Sequence, residues 1–251
     1  MVVIGAGRIG VGLQREAAAR GLSVRLIDRV FGWDALDAPA GSPVLVVVRN
    51  DDLAAVVQRV PAARRDDLVF VQNGAIGDLL GSLGVGESTR GLLYFLVARR
   101  GDGITPGRTS WFSGRHGAAV AAWLGTLGLV AEDVDGPTFA AHAFEKLLWL
   151  STNGLLCQAR GATVGEVATA HRAELAALVT ELMPIGARAR GVGMSPAAMA
   201  ERLADYSATI PDYRASVKEW PTRNGWLVKT ARLLGIGTPL HDALIASVGA
   251  P

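Results

Sequence analysis

Met1-Val2-Val3-Ile4-Gly5-Ala6-Gly7-Arg8-Ile9-Gly10-Val11-Gly12-Leu13 is the stretch on which the reading of this chain turns. Val2, Val3 and Ile4 are β-branched in succession and predict a short strand, Val2–Gly5. Helical periodicity then runs from Gly10 to Arg20, and Gly21 stands where a chain leaves a helix in the left-handed conformation. Between strand and helix lies a full GxGxxG. Each glycine has its own duty: Gly5 makes the tight turn, Gly7 lets backbone approach a pyrophosphate, and Gly10 lets helix and strand pack closely. The helix start also offers unpaired N–H groups and the positive end of its dipole to phosphate. A bare GxGxxG says little in a chain with 31 glycines. Its place between strand and helix makes Gly5, Ala6, Gly7, Arg8, Ile9 and Gly10 a predicted loop for NAD or NADP.

Working outward, Val24–Asp28 reads as the next strand. Val44–Arg49, Leu68–Gln72 and Leu92–Ala98 follow as continuous apolar runs, the pattern of strands buried on both faces of a parallel sheet. Asp51 or Asp52 is placed to cap a helix that runs to Val60, where Pro61 closes it. Thr109–Phe112 and Leu129–Val134 flank a helix over His116–Leu127 and would extend the sheet at its edge. This βαβ alternation predicts a Rossmann-type, doubly wound α/β domain over residues 1–135. Gly136-Pro137 marks the boundary. Beyond it Phe139–Leu150, Gly165–Arg190, Pro196–Tyr206, Gly225–Leu234 and Pro239–Val248 all read as helices, so residues 136–251 are expected to form an all-helical domain.

The composition narrows the class. Half of the 251 residues are hydrophobic, as in a globular chain able to bury a sizeable core. A net charge of +2 with scattered basic residues gives nucleic acid little to recognise, although the isoelectric point is near 9.0. The single cysteine, Cys157, excludes an internal disulfide, and four histidines without ligand spacing predict no metal. The apolar start is too short for a signal peptide, and no run of about 18 apolar residues exists to span a membrane. The expectation is a cytoplasmic protein.

The end of the second strand governs cofactor preference and points two ways. Asp28 lies where an acid grips the adenine ribose, which favours NAD. Arg29 follows at once and is suited to a 2′-phosphate, which favours NADP. Asp28-Arg29 is also readable as a solvated turn.

Lysine is rare here, at positions 146, 218 and 229 only. Lys146 sits in Ala140-Ala141-His142-Ala143-Phe144-Glu145-Lys146-Leu147-Leu148-Trp149-Leu150, a helix apolar nearly all round and therefore buried. A lysine there must pair, reach out to water along its stem, or do chemistry. Burial lowers an amine's pKa and so readies it as a proton donor near neutrality. His142, one turn earlier, is a rival donor or a packed histidine. Asn153, seven positions on, shares the Lys146 face if the helix continues, yet Asn153-Gly154 is equally a helix stop. Lys218-Glu219-Trp220-Pro221-Thr222-Arg223-Asn224-Gly225 is by itself a polar approach to a helix, with Glu219 an ordinary acid. Trp149, Leu175, Leu178 and Leu182 could supply a homodimer face, though core is the simpler use for them.

Together these pieces resemble the ketopantoate reductase (2-dehydropantoate 2-reductase) family over nearly the whole chain, as a divergent member. The family's opening GxGxxG is present. Its "LQNG" loop is matched by Val71-Gln72-Asn73-Gly74, and the helix bearing its catalytic lysine by Lys146-Leu147-Leu148. Its late "TEID…NG" segment is matched by Lys218-Glu219-Trp220-Pro221 and Asn224-Gly225, with Ser207 twelve residues before Glu219. The resemblance implies hydride transfer from NAD(P)H to the ketone of a 2-oxo acid, or of a related ketone or imine. By it Lys146 is the proton donor, Glu219 holds substrate hydroxyl and cofactor, and Asn73, Asn153 and Ser207 orient substrate. Arg49, where the family has a basic residue after its third strand, and Asn73 also meet cofactor.

The departures bear on substrate identity. Leu150 and Gly154 stand where the family has asparagines, with Asn153 one place early. Pro221 replaces an aspartate, Arg49 a lysine, and the stretch between Asp28 and Val44 is short. A substrate other than ketopantoate is implied, because a buried site discriminates strongly over one polar partner. The remaining reading is a non-catalytic dinucleotide-binding sensor, against which the presence of both Lys146 and Glu219 counts.

Overall fold

The computed structural model describes residues 1–250, which divide into two compact units. The first comprises Met1–Gln72 and Ile76–Phe139; the second comprises Asn73–Ala75 and the chain from Ala140 onward. The division falls inside a helix, and three loop residues far upstream belong with the second unit.

In the first unit, β1 (Val2–Ile4), α1 (Arg8–Ala18), β2 (Arg25–Ile27), β3 (Val44–Val46), α2 (Leu53–Arg59), β4 (Leu68–Phe70), α3 (Gly77–Ser82) and β5 (Thr89–Leu92) follow in order. A small hairpin of β6 (Phe95–Leu96) and β7 (Thr105–Pro106) precedes β8 (Ser110–Ser113), α4 (Gly117–Thr126) and β9 (Ala131–Asp133). The seven-stranded sheet has the order β2-β1-β3-β4-β5-β8-β9. It is parallel from β2 to β5; β8 then runs antiparallel to β5, and β9 parallel to β8. Alternate strand residues feed opposite faces. Ile4, Val44, Val46, Leu68 and Phe70 pack with Leu53, Val56 and Val57 of α2. Val3, Leu45 and Val69 pack with Leu13 of α1 and Val120 and Leu124 of α4. Burial on both faces explains why β3 and β4 read as unbroken apolar runs. The chain leaves β1 toward β2 on one side and returns to β3 on the other, so the sheet's switch point lies beside β1.

Several expected elements are corrected. The run Leu92–Ala98 is not one strand: β5 ends at Leu92, and Phe95–Leu96 turns away into the hairpin. The β5 residues Thr89 and Arg90 are polar, which shifted the apparent strand downstream; Thr89 is nevertheless fully buried, its hydroxyl accepting from the His116 N–H. Neither Asp51 nor Asp52 caps α2 with its side chain, because Asn50–Asp52 forms a 3₁₀ turn ahead of it. The short link between β2 and β3 is held by buried Asp67, which accepts from the Gly41 N–H and from Arg64 at 2.7 Å.

The second unit contains only helices: α5 (Gly136–Arg160, begun in the first unit), α6 (Val164–Thr169), α7 (Arg172–Arg190), α8 (Pro196–Ala208), α9 (Asn224–Leu234) and α10 (Pro239–Ser247). Gly136-Pro137, where the boundary was expected, opens the first turn of α5, a position that suits proline because its missing N–H has no helical partner there. Asn153-Gly154 does not stop α5, which continues seamlessly to Arg160 before Gly161 turns left-handed at φ 65°. The expected single helix over Gly165–Arg190 is two. Thr163 and Glu166 form a reciprocal capping box for α6, and the chain breaks before Arg172. The core of this unit is aliphatic, with Leu147, Leu148, Leu155, Leu156, Leu178 and Leu182 essentially fully enclosed.

Candidate functional site

Two sites emerge, one in each unit. The first is a cavity of about 690 Å³ at the C-terminal ends of β1, β2 and β3. Its wall includes Gly5, Ala6, Gly7, Asp28, Arg29, Trp33, Arg49, Arg59 and Arg100. Three glycine duties are visible in the geometry. Gly5 has φ 122°, open in practice only to glycine, and a Cβ there would press on Val47 at 3.1 Å. At Gly10 a Cβ would lie 1.9 Å from the Gly5 carbonyl oxygen, so α1 rests directly on the turn. A Cβ at Gly7 would meet no protein atom at all. The protein's own packing does not require glycine at 7; leaving that space clear suits a ligand lying over the loop. No side chain caps α1, which leaves its first N–H groups for such a ligand. A pyrophosphate fits this cradle.

Not all six loop residues face the cavity. Arg8 points to the hairpin and donates to the Ala98 carbonyl, while Ile9, in the first turn of α1, is partly buried against the core. Arg100, which sequence reasoning missed, reaches back from the hairpin region and donates to the Ala6 carbonyl at 3.0 Å. The Asp28 carboxylate is committed to its own turn, accepting from the Val30 and Phe31 N–H groups at 2.8 and 2.7 Å, and these bonds hold its pKa below the usual carboxylate value. Arg29 is nearly fully exposed, 4.0 Å from Asp52. Arg59, also unforeseen, donates to the Arg29 carbonyl and lies 4.1 Å over the Trp33 ring. Arg49 is exposed at the same rim. Nothing in the strand pattern marks Arg59 or Trp33, because each reaches the cavity from a turn or helix face that only the tertiary fold brings there.

The second site surrounds Lys146 on α5. The side chain is half-buried, and its amine is crowded enough by protein that burial lowers its pKa from 10.5 to about 7, with a further push from the Arg223 charge. Arg223 is itself buried and forms an ion pair with Glu219. Glu219 is the one non-glycine residue with positive φ among the described residues, at φ 47° and ψ 48°. Such a backbone costs about 1–3 kcal/mol and persists where neighbours hold it. Here the Thr222 N–H and hydroxyl both donate to the Glu219 carbonyl. The loop carrying Asn73 docks on the same turn: the Ala75 N–H donates to the Thr222 carbonyl at 2.6 Å, and Gly74, at φ 93°, leaves no room for a Cβ. Asn73, Glu219, Arg223 and Lys146 thus converge from residues far apart in the chain.

Gly154 has a local cause. A Cβ there would lie 3.1 Å from the Ser216 carbonyl oxygen, so the segment leading to Glu219 passes directly over α5. Asn153 lies on the unbroken α5 and is fully buried; its amide donates to the Trp149 carbonyl, and its Oδ1 has no partner. Ser207 does not present a free hydroxyl to a substrate: it is fully buried, donates to the Leu203 carbonyl and accepts from Trp149 Nε1 at 3.0 Å. That is a packing role. Asn224 ties α9 to its neighbours through the Ser151 carbonyl and His241 Nε2. Buried His241 is held neutral, burial lowering its pKa to about 4. No group of residues able to hold a metal is found among the described residues, and no helix there is long and apolar enough to cross a membrane.

No protein-family model matches the chain, and no curated protein sequence does either. Solved structures do. A ketopantoate reductase of the PanE/ApbA family from Ralstonia eutropha JMP134 superposes with a TM-score of 0.73 at 22% identity, over 99% of this chain and 97% of that one. D-mandelate dehydrogenase in complex with NADH gives a TM-score of 0.77 at 15% identity, over 99% and 98%. A dimeric ketopantoate reductase from Staphylococcus aureus gives 0.71 at 17%, over 99% and 96%. The chain has the ketopantoate reductase fold throughout, at sequence distances where fold alone is shared.

Proposed function

We propose that this protein is an NADP(H)-dependent oxidoreductase that reduces the ketone of a 2-oxo acid. The observation carrying the proposal is Lys146: an amine lowered to about 7 in a cluster with a strained glutamate. An ordinary surface lysine, near 10.4, is a poor proton donor at neutral pH; an amine near 7 is matched to it. The bound dinucleotide supplies the hydride. As negative charge develops on the substrate oxygen, the Lys146 ammonium stabilises it and delivers the proton from Nζ. Glu219 and Asn73 position the substrate, and Asn153 offers its unpartnered Oδ1 from the same helix. The solved neighbours support the substrate class: one is a mandelate dehydrogenase held with NADH and anilino(oxo)acetate, and others are ketopantoate reductases.

Preference for NADP rests on the cavity. Asp28 spends its carboxylate on its own turn, whereas Arg29, Arg49 and Arg59 crowd the end of β2 and β3 with positive charge. A 2′-phosphate suits that rim better than a bare ribose. The test is NADPH and NADH oxidation against a panel of 2-oxo acids, with Lys146→Ala alongside. Turnover with NADPH, lowered about 100- to 10,000-fold in the variant at unchanged cofactor affinity, is expected of a general acid. Tight cofactor binding without turnover of any panel member would remove the reductase reading.

A further inference from the structure

Arg223 stands in the gap between the two matched halves of the late motif, with no role assigned to it, yet it is a tightly constrained charge in the site. Its side chain is 9% exposed, it precedes α9 with φ −121° and ψ −108°, and its charge bears directly on Lys146. Nη2 donates to Glu219, while Nε is buried with no hydrogen-bond partner. Arginine stays protonated under all ordinary conditions, and an orphaned buried N–H of a guanidinium is costly to keep. Such a donor is retained where something else comes to accept from it.

The geometry says what that acceptor is: a carboxylate accepts from Nε–H and an Nη–H together, the forked pairing a guanidinium is built for. Glu219 and Lys146 are each partly open to solvent, which gives a small ligand a way in. We propose that Arg223 is a specificity-determining residue that receives the substrate's carboxylate through Nε–H and its remaining Nη protons, alongside the Nη2 bond to Glu219. The arrival of that carboxylate also favours the ammonium form of Lys146, so the acid is charged when an anionic substrate is in place and is less so when the site is empty. The idea rests on the reductase reading above and names the residue that receives the carboxylate of its 2-oxo acid.

The experiment compares a 2-oxo acid with its methyl ester in the wild type, Arg223→Met and Arg223→Lys, and measures oxamate binding to the NADPH-loaded protein by calorimetry. Losing a buried charged contact predicts a fall of about 100-fold in kcat/KM for the acid in Arg223→Met, and because the variant also unpairs Glu219 the ester falls as well, by at least about tenfold less than the acid. Arg223→Lys keeps the charge but not the forked geometry, and should recover part of the acid activity. If acid and ester fall together, or the acid is unaffected, Arg223 does not read the carboxylate and the proposal fails while the reductase reading stands. If the wild type reduces neither compound, the reductase reading fails. Oxamate then decides the anion site: binding lost in Arg223→Met sustains it, and binding that is unchanged, or absent from the wild type, ends it. Should Arg223→Met not fold, the acid-to-ester ratio of Arg223→Lys decides, since an unchanged ratio rejects the proposal.

Discussion

Replacing Lys146 by methionine keeps the length and apolar stem of the side chain and removes only the amine. The folded protein holds that amine near 7, below its ordinary 10.5. Between those values the unfolded chain binds a proton that the folded protein releases, so wild-type stability rises with pH from about 7 to about 10.5. Methionine has no proton to lose, and other titrating groups are common to both proteins and cancel in the difference. For a fully enclosed amine, the wild type should gain about 2 kcal/mol on Lys146→Met between pH 7 and 9, from 1.36 kcal/mol per pKa unit. Because Lys146 is half-buried, solvent screens part of this, and about 1 kcal/mol is the expected gain. Urea unfolding followed by tryptophan fluorescence at pH 7, 8 and 9 measures it directly. The variant should be the more stable at pH 7, with its lead narrowing as pH rises. A lead that does not change with pH would mean the amine titrates as it does in water, and the case for Lys146 as a neutral-pH acid would go with it.

Gly10→Ala places a methyl carbon 1.9 Å from the Gly5 carbonyl oxygen, forcing α1 off the phosphate turn; the expected loss is about 1–3 kcal/mol in urea together with weakened NADPH binding, and unchanged values of both would refute the packing role. His241, held neutral with a pKa lowered to about 4, resists a proton that the unfolded chain accepts below about 6.5. Stability should therefore fall by about 3 kcal/mol as pH drops through that window, and His241→Gln should flatten this acid limb in urea titrations at pH 4 to 7.

The sheet was legible because its cause is local. Val44–Val46 and Leu68–Phe70 are buried on both faces, and a strand so placed writes itself as an apolar run. The glycine turn was legible for a similar reason, since φ 122° at Gly5 and the contact beneath Gly10 admit no other residue. Legibility fails where a residue's environment comes from distant chain. Thr89 and Arg90 do not look like sheet, yet β5 pairs between β4 and β8. Asn153-Gly154 has the form of a helix stop, but α5 continues to Arg160, and glycine stands at 154 because the Ser216 segment occupies the space a side chain there would need. Ser207 has the spacing of a substrate contact and serves Trp149 instead. Arg223 passes for a polar residue at a helix start until Glu219, Lys146 and the buried Nε are seen together.

Glu219 shows how the two levels join. From sequence it is an acid in a polar run, and by propensity it is a poor choice for a left-handed backbone, where glycine or asparagine would be easier. The fold nevertheless holds it there, through Thr222 bonded twice to its carbonyl and the Asn73–Ala75 loop clamped to the other side of Thr222. Glycine at 219 would relieve the backbone but delete the carboxylate that neutralises Arg223. A buried guanidinium without that partner would press harder on Lys146 and lower its pKa further, below the range in which it donates protons at neutrality. The strained position therefore has an electrostatic counterpart: the left-handed residue at 219 supplies the carboxylate that pairs Arg223 beside Lys146.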